Sequence, residues 1–240
     1  MKPNPTSSRA GEAGRSHSIA KRVARMLEQQ IVAGTLAAGV KIAEQATAER
    51  LGVSRVPVRE ALVELERAGL VVRSATGRLR VQSLAEHDMD EILDVRRIIE
   101  PAVMRAAAER RLPQDVERLE RNLSGLAAAR DLARISLLDA EFHDLVAAAS
   151  HQPRLMAVWS LLRGQFLLWI AVSQRRLVLT ADDIRRSTLA HHAAMLTRIR
   201  SRDADGAERY ARDLLRSAAA FLKSGRRTDD PPSKPRKDHP

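Results

Sequence analysis

Residues 44–65, EQATAERLGVSRVPVREALVEL, restrict the fold of this chain more than any other stretch. A short helical pattern ends at Gly52, and a second begins at Ser54, a residue type suited to an N-cap. Pro57 falls in the first turn of the second helix, where backbone N–H groups lack helical partners and proline is tolerated. Two helices joined by a turn of about three or four residues containing glycine are typical of a helix-turn-helix.

The second helix of this pair has two faces. One is an apolar stripe with helical spacing, formed by Val58, Ala61, Leu62 and Leu65. Arg55 and Arg59 are four residues apart, so they share another face near the helix N-terminus, the end that enters the major groove in such proteins. An arginine fork binds O6 and N7 of guanine, and Val56 can contact a thymine methyl. The alternative is an ion-paired, solvated face in which the arginines meet Glu49 or Glu60.

The region around this segment resembles the winged helix-turn-helix of GntR-type transcription regulators. The matching residues are Ile31, Gly34, Leu36, Gly39, Glu44, Ala48, Leu51 to Arg55, Pro57 to Leu62, Leu65 and Gly69 to Val71. Two positions depart from the family pattern: Thr47 replaces an apolar residue, and Gln45 replaces a DNA-contacting arginine that is common there. Gln45 can still bond adenine or a phosphate. The resemblance therefore implies contacts with DNA through Gln45, Ser54, Arg55, Val56 and Arg59.

Two short alternating runs, 70–73 and 78–81, flank a turn that contains Gly77 and predict a β-hairpin. In the resembling family this hairpin is the wing. Arg73, Arg78 and Arg80 are predicted near its tip, where they would contact the DNA backbone or the minor groove. Such contacts position a protein on DNA without specifying sequence.

Charge is distributed unevenly along the 240 residues, whose formal net charge is +11. Residues 1–85 carry 14 Lys/Arg against 7 Asp/Glu, whereas residues 86–222 carry 21 against 20. The basic half is the one with the helix-turn-helix, as binding to double-stranded DNA requires. Only six aromatic residues argue against a base-stacking, single-strand module. The absence of cysteine excludes disulfides and thiol catalysis, and we expect a cytoplasmic protein without a membrane segment.

The chain is predicted to be mostly α-helical, with an N-terminal winged helix-turn-helix of three helices and a wing, then an all-α antiparallel bundle. The domain boundaries are a disordered arm at 1–16, the DNA-binding domain at 17–82, a linker at 83–86, the bundle at 87–223 and a disordered basic tail at 224–240. Helical periodicity, with helix boundaries marked by Pro113, Pro153 and 203–206, predicts six bundle helices. These are 87–111, 113–129, 131–149, 153–173, 181–201 and 204–223.

The bundle resembles the FCD domain, the ligand-binding half of one GntR branch. The resemblance lies in 93–97 with Glu100-Pro101, 139–143, 151–155, His191-His192 and 203–211. It implies a divalent metal, zinc, nickel or manganese, held by one Asp and three His, of which this chain offers Asp139, His143 and His192. The expected fourth ligand position is Leu214, which cannot bind a metal. Three ligands and a water or carboxylate remain possible, as does a metal-free anion pocket.

Two arginines are candidates for binding an effector. Arg96 matches an arginine that faces the effector pocket in relatives, and a carboxylate would satisfy a buried guanidinium. Arg163 lies among Leu161, Leu162 and Phe166, and is the second inward-facing candidate. Each has a structural alternative, an ion pair with a nearby acid.

These features predict a sequence-specific transcription regulator that binds an operator as a homodimer and senses a small carboxylate. We expect it to act as a repressor. Two alternatives remain at this point: a metal-dependent hydrolase built on Asp139, His143 and His192, and a non-specific architectural DNA-binding protein.

Overall fold

The computed structural model describes residues 6–176 and 180–224, with side chains in 17–176 and 180–218. These residues form nine helices and three short strands. In chain order they are α1 Thr6–Ala33, β1 Lys41–Ile42, α2 Glu44–Leu51, α3 Arg55–Arg67, β2 Val71–Arg73, β3 Leu79–Val81, α4 Glu86–Arg110, α5 Pro113–Ala128, α6 Leu132–Ala149, α7 Pro153–Arg176, α8 Ala181–Arg200 and α9 Ala204–Ser224. The predicted fold class is confirmed: a winged helix-turn-helix precedes an all-α bundle.

The turn between α2 and α3 follows from the backbone freedom of one glycine. Gly52 adopts φ +63°, a left-handed conformation that ends α2, and the next amide, that of Val53, donates to the Ala48 carbonyl. Ser54 then occupies the N-cap position of α3, although its side chain makes no capping hydrogen bond. The apolar stripe of α3 is buried, as its spacing predicts, and packs with α1.

The wing is a three-stranded antiparallel sheet in the order β1-β3-β2. The predicted hairpin is β2 and β3, with Val72 opposite Arg80. Strand β1 was not predicted, because two residues are too few to show an alternating pattern; it pairs with β3 through Lys41 opposite Arg80.

Helix α1 begins earlier than predicted. Residues 6–16, expected to form a disordered arm, continue the helix upstream of the buried residues Val23 and Leu27. The sequence of 6–16 lacks an apolar period, but this does not prevent a helix from extending there. Residues 1–5 of the predicted arm, and 225–240 of the predicted tail, lie outside the described residues.

The six bundle helices lie within three residues of their predicted bounds. Helix α4 packs along α9, and α6 packs between α5 and α7. The largest side chains at the centre of the bundle, Phe142, Trp159 and Phe166, are almost fully buried. By length and composition α7 is apolar enough to cross a membrane, but it packs within the bundle against α4 and α6.

The two halves of the chain are joined through α7. A Cβ added to Gly164 would lie 1.7 Å from the carbonyl oxygen of Ala68, so α7 meets the end of α3 backbone to backbone. Arg175 Nη1 donates to the carbonyl of Val32 in α1 at 2.5 Å. Arg163 pairs with Glu28 of α1 and, at 2.8 Å, with Asp144 of α6. The DNA-binding half therefore meets the bundle at α7, and its helix α1 packs against α6 as well.

Candidate functional sites: a DNA-binding face and a cavity in the bundle

The N-terminal end of α3 presents the predicted DNA-binding side chains to solvent. Val56 is 59% exposed, and the side chain of Arg59 is 61% exposed. Arg59 donates to both carboxylate oxygens of Glu44, its Nη2 lying 2.9 Å from Oε2, while Arg55 Nη2 is 3.8 Å from the same oxygen. The hydrogen bond from Arg59 lowers the pKa of Glu44. The arginines are thus ion-paired, as the alternative interpretation had it, but their partner is Glu44 rather than Glu49 or Glu60.

Gln45 and Ser54 are also near this face. Gln45 Nε2 donates to Glu49 Oε1 at 2.6 Å, so the carboxylate of Glu49 is bound to Gln45 rather than to an arginine of α3. Ser54 is exposed at the entry to α3, where a hydroxyl can donate to a phosphate.

The three wing arginines differ in how they are held. Arg73 is bound to Glu66 and to the carbonyl of Gly77, and Arg80 donates to the carbonyl of Gly39 at 3.2 Å. Arg78 is exposed, and its side chain has no hydrogen bond or ion pair with any described residue. It is the wing arginine most available to a phosphate.

Sequence reasoning missed Lys41. It borders a concave surface of about 360 Å³ together with Glu44, Arg73 and Arg78, between β1, α2 and the wing. Its position depends on the unpredicted strand β1, and a single lysine gives no pattern that could have indicated it.

The bundle contains a half-open cavity of about 600 Å³ between α4, α6, α7, α8 and α9. Four of the predicted site residues line it, namely Arg96, Asp139, His143 and His192. The position expected to carry a fourth metal ligand, Leu214, is also part of its wall.

Asp139, His143 and His192 converge on one point of the cavity. Their ligand atoms all lie within 4.8 Å of one another. Asp139 Oδ1 is 3.1 Å from Nε2 of His192 and 3.7 Å from Nε2 of His143. Burial lowers the pKa of His143 to about 3, so this imidazole is neutral, the form that binds a metal. Burial raises the pKa of Asp139, but the hydrogen bond from His192 and the electrostatic effects of His192, His143 and Arg96 together outweigh it and lower that pKa.

These three groups fit a divalent ion as one side of a coordination shell. Oxygen and nitrogen ligands about 2.0–2.2 Å from zinc would be separated by distances similar to those seen here. His143 Nδ1 also faces Glu100 Oε2 at 3.6 Å, the kind of carboxylate that orients a metal-binding histidine. By contrast, His192 Nδ1 is buried and has no hydrogen-bond partner within the described part of the chain. Because Leu214 offers no ligand, the remaining coordination positions would face the cavity.

Arg96 is the basic group of this cavity. Its Nε donates to Glu100 at 2.5 Å, and its guanidinium lies over the rings of Phe166 and Trp169, 4.4 and 4.2 Å from their centroids. Its Nη1 is buried and has no hydrogen-bond partner among the residues that the structure describes. A buried donor of this kind is costly unless something binds to it.

The prediction that Arg163 faces the effector pocket is wrong. Arg163 is absent from the cavity wall and instead bridges Glu28 and Asp144 at the junction of the two halves. Its apolar neighbours in sequence lie on other faces of α7, since consecutive helical residues point about 100° apart. Leu161, one of those neighbours, is 69% exposed.

Two polar residues of α7 that sequence reasoning missed also line the cavity. Ser173 Oγ is buried, and no described side chain or backbone group forms a hydrogen bond with it. Gln174 accepts from Ser136 at 2.7 Å and donates to Asp139 Oδ2 at 3.3 Å. No motif marks either residue; only the packing of α7 against α6 reveals them.

Comparison with known proteins agrees with this architecture. Residues 19–81 match the gntR family of bacterial regulatory proteins, and residues 91–217 match the FCD domain. The chain belongs to the GntR family. It is accordingly a DNA-binding transcription regulator with an FCD effector domain, and not an enzyme.

Individual relatives cover most of the chain. It is 30% identical over 202 residues to the gluconate operon transcriptional repressor of Bacillus subtilis, covering 78% of this chain and 77% of that one. It is 29% identical to the galactonate operon transcriptional repressor of Escherichia coli, covering 84% and 96%. Among solved structures, E. coli McbR/YncC shares the fold with a TM-score of 0.68 at 22% identity, covering 86% of this chain and 97% of that one.

Proposed function

We propose that this GntR regulator is a repressor that binds its operator as a homodimer and responds to a small carboxylate bound in the bundle cavity. The observation that carries the proposal is the buried, unpartnered Nη1 of Arg96, which lies beside the Asp139, His143 and His192 cluster. A cytoplasmic location follows from the partner, since the operator is in chromosomal DNA.

The DNA-binding part of the proposal assigns distinct roles to the exposed groups. Arg55, Val56 and Arg59 read base edges in the major groove, and Arg78 binds phosphates through the wing. One such helix reads only a half-site. A two-fold homodimer on a palindromic operator supplies the second half-site, which is why we expect dimers.

The effector part of the proposal follows from the unpaired donors of the cavity. A carboxylate would accept from Arg96 Nη1, and hydroxyl groups on the same ligand would pair with Ser173 Oγ, so that both buried groups become satisfied. Hydroxylated acids are the natural first candidates because the relatives from B. subtilis and E. coli are named for gluconate and galactonate operons.

Asp139, His143 and His192 would hold a divalent ion if one is bound. Such an ion would add positive charge that attracts the carboxylate of the ligand. Gln174 orients the set by donating to Asp139, and Leu214 leaves the side toward the cavity free of protein ligands.

Helix α7 would couple the two sites. It contributes Phe166, Trp169 and Ser173 to the cavity, and Gly164 and Arg175 to the junction with the DNA-binding half. A ligand that prefers one placement of α7 shifts the population of the DNA-binding placement. About 1.4 kcal/mol of difference in binding between the two states changes operator affinity tenfold.

The test is a thermal-unfolding screen of metal-stripped protein, with and without zinc, nickel or manganese, crossed with small mono-, di- and sugar carboxylates. A ligand at 100 times its dissociation constant adds about 2.7 kcal/mol to the free energy of unfolding. We expect stabilisation by a carboxylate that is lost in Arg96→Met. Stabilisation by metal should be lost in His143→Ala but kept in His87→Ala, which removes an exposed histidine outside the cavity.

The outcomes separate the parts of the proposal. Carboxylate stabilisation without metal would retain the effector and remove the metal from the site. If no carboxylate stabilises the protein, or Arg96→Met responds like the unchanged chain, the effector assignment is wrong. Equal affinity for a selected operator and for random duplex would instead indicate an architectural DNA-binding protein.

A further inference from the structure

Two arginines on the DNA-binding face, Arg59 and Arg73, are held in the same way by a glutamate. Arg59 uses Nε and Nη2 to bind Glu44, and Arg73 uses Nε and Nη2 to bind Glu66. In both pairs the carboxylate occupies one edge of the planar guanidinium, which fixes the plane in which the other edge points.

The two arginines differ at that second edge. Arg73 Nη1 donates to the carbonyl of Gly77 at 3.0 Å, so its outer edge is already used within the wing. Arg59 makes no such bond with any described residue, and its Nη1 and the second hydrogen of Nη2 remain free. This outer edge has the two parallel donors that match O6 and N7 of guanine.

We propose that Glu44 is a positioning residue for base recognition: it holds Arg59 so that the outer edge of its guanidinium reads one guanine in each half-site. Arg55, which meets Glu44 only at 3.8 Å, keeps more freedom. The inference rests on the proposed placement of α3 in the major groove.

A carboxylate at a DNA-binding surface repels the phosphates of DNA, so Glu44 must offset this loss of affinity with another contribution. Glu44 removes one positive charge from the attraction to phosphates, and so weakens binding to every sequence. Fixing Arg59 in a single orientation reduces the side-chain freedom lost when the guanine contact forms. Glu44 therefore exchanges general affinity for selectivity at one base pair.

The experiment measures base preference by selecting bound sequences from a randomised duplex pool, using the full chain and its variants. Glu44→Gln keeps the shape of the side chain but loses the bidentate acceptor. Glu60→Gln is the matched control, because it removes the same charge from an exposed residue of α3 that has no ion pair with a described residue. Arg59→Lys keeps the charge of the arginine and removes its fork.

We expect Glu44→Gln to lose guanine preference by about fivefold or more at the same base pair that Arg59→Lys affects, with the other positions unchanged. Affinity for random duplex should be equal to or above that of the unchanged chain, as in Glu60→Gln. Glu44→Asp, which keeps the charge but is one methylene shorter, should also lose this preference. That result would assign the effect to geometry rather than to charge.

Two results would overturn the inference. One is full guanine preference in Glu44→Gln, with a pattern indistinguishable from Glu60→Gln; the other is a loss at a base pair that Arg59→Lys does not affect. If neither Arg59→Lys nor Arg55→Lys changes any base preference, the failure belongs to the proposed placement of α3 in the groove.

Discussion

Replacing Gly164 by alanine tests whether α7 is the element that connects the cavity to the DNA-binding half. In an ordinary helix interior this change is favourable by about 0.8–1.0 kcal/mol, because alanine has the higher helix propensity. At Gly164 the new Cβ would lie 1.7 Å from the carbonyl oxygen of Ala68 and 3.1 Å from its Cβ. The oxygen belongs to the backbone, so no side-chain rotation can relieve the overlap.

The geometry sets the size of the effect. Reaching an ordinary carbon–oxygen contact of about 3.3 Å requires about 1.6 Å of separation between α7 and the end of α3. Overpacking of this kind costs about 1–3 kcal/mol, which outweighs the gain in propensity in most of that range. For a chain of this size each kcal/mol corresponds to about 2–4 °C in the melting temperature. We therefore expect Gly164→Ala to melt several degrees lower, and its operator affinity to respond less to the effector.

Gly125→Ala is the matched control for this experiment. Gly125 is also inside a helix, but a Cβ there would meet only the side chain of Leu138, at ordinary distances of 3.6 Å to Cδ2 and 3.9 Å to Cδ1. This variant should melt at a higher temperature by the propensity term alone. Thermal unfolding followed by circular dichroism, with effector titrations of operator binding, measures both effects. If Gly164→Ala is as stable as Gly125→Ala and keeps the normal effector response, α7 does not couple the two sites through this contact.

Three further predictions concern other parts of the structure. Arg78→Ala should weaken binding to operator and random duplex alike and reduce the salt dependence by about one unit of slope, as measured by fluorescence anisotropy. Arg163→Met and Glu28→Gln should be non-additive by more than about 0.5 kcal/mol in denaturant unfolding, whereas additive effects would show that their ion pair contributes nothing. Leu214→His should raise zinc affinity in chelator competition, an increase that His143→Ala should remove and whose absence would place Leu214 outside the reach of the metal.

The fold was predictable where local signals decide it. Pro113 and Pro153 are the first residues of α5 and α7, and Gly52 ends α2, because proline and glycine act on the backbone next to them. The same is true of Asp139 and His143, whose spacing on one helix determines that they share a face. Such features need no knowledge of the rest of the chain.

The remaining errors concern which surface a helix turns toward its neighbours. Arg163 was expected to face inward with Leu161 and Leu162, but residues adjacent in sequence point to different sides of α7, and Arg163 meets Glu28, which is 135 residues away. The pairing of Glu44 with Arg59 likewise depends on the angle at which α2 meets α3. Periodicity finds the buried stripe of a helix, but it does not identify the partner of a polar residue at the edge of that stripe.

The contact at Gly164 explains why a small movement in the cavity would reach the DNA-binding half. A contact between two flexible side chains would absorb a shift of α7 by a change of rotamer, whereas a contact between the backbones of α7 and Ala68 has no such freedom. Phe166, which lines the cavity, is two residues from Gly164 in the same rigid helix. A ligand that displaces Phe166 by moving the helix must therefore displace the end of α3 as well. Since α3 also carries Arg55 and Arg59, we expect the proposed recognition helix itself to move with α7, without an additional relay.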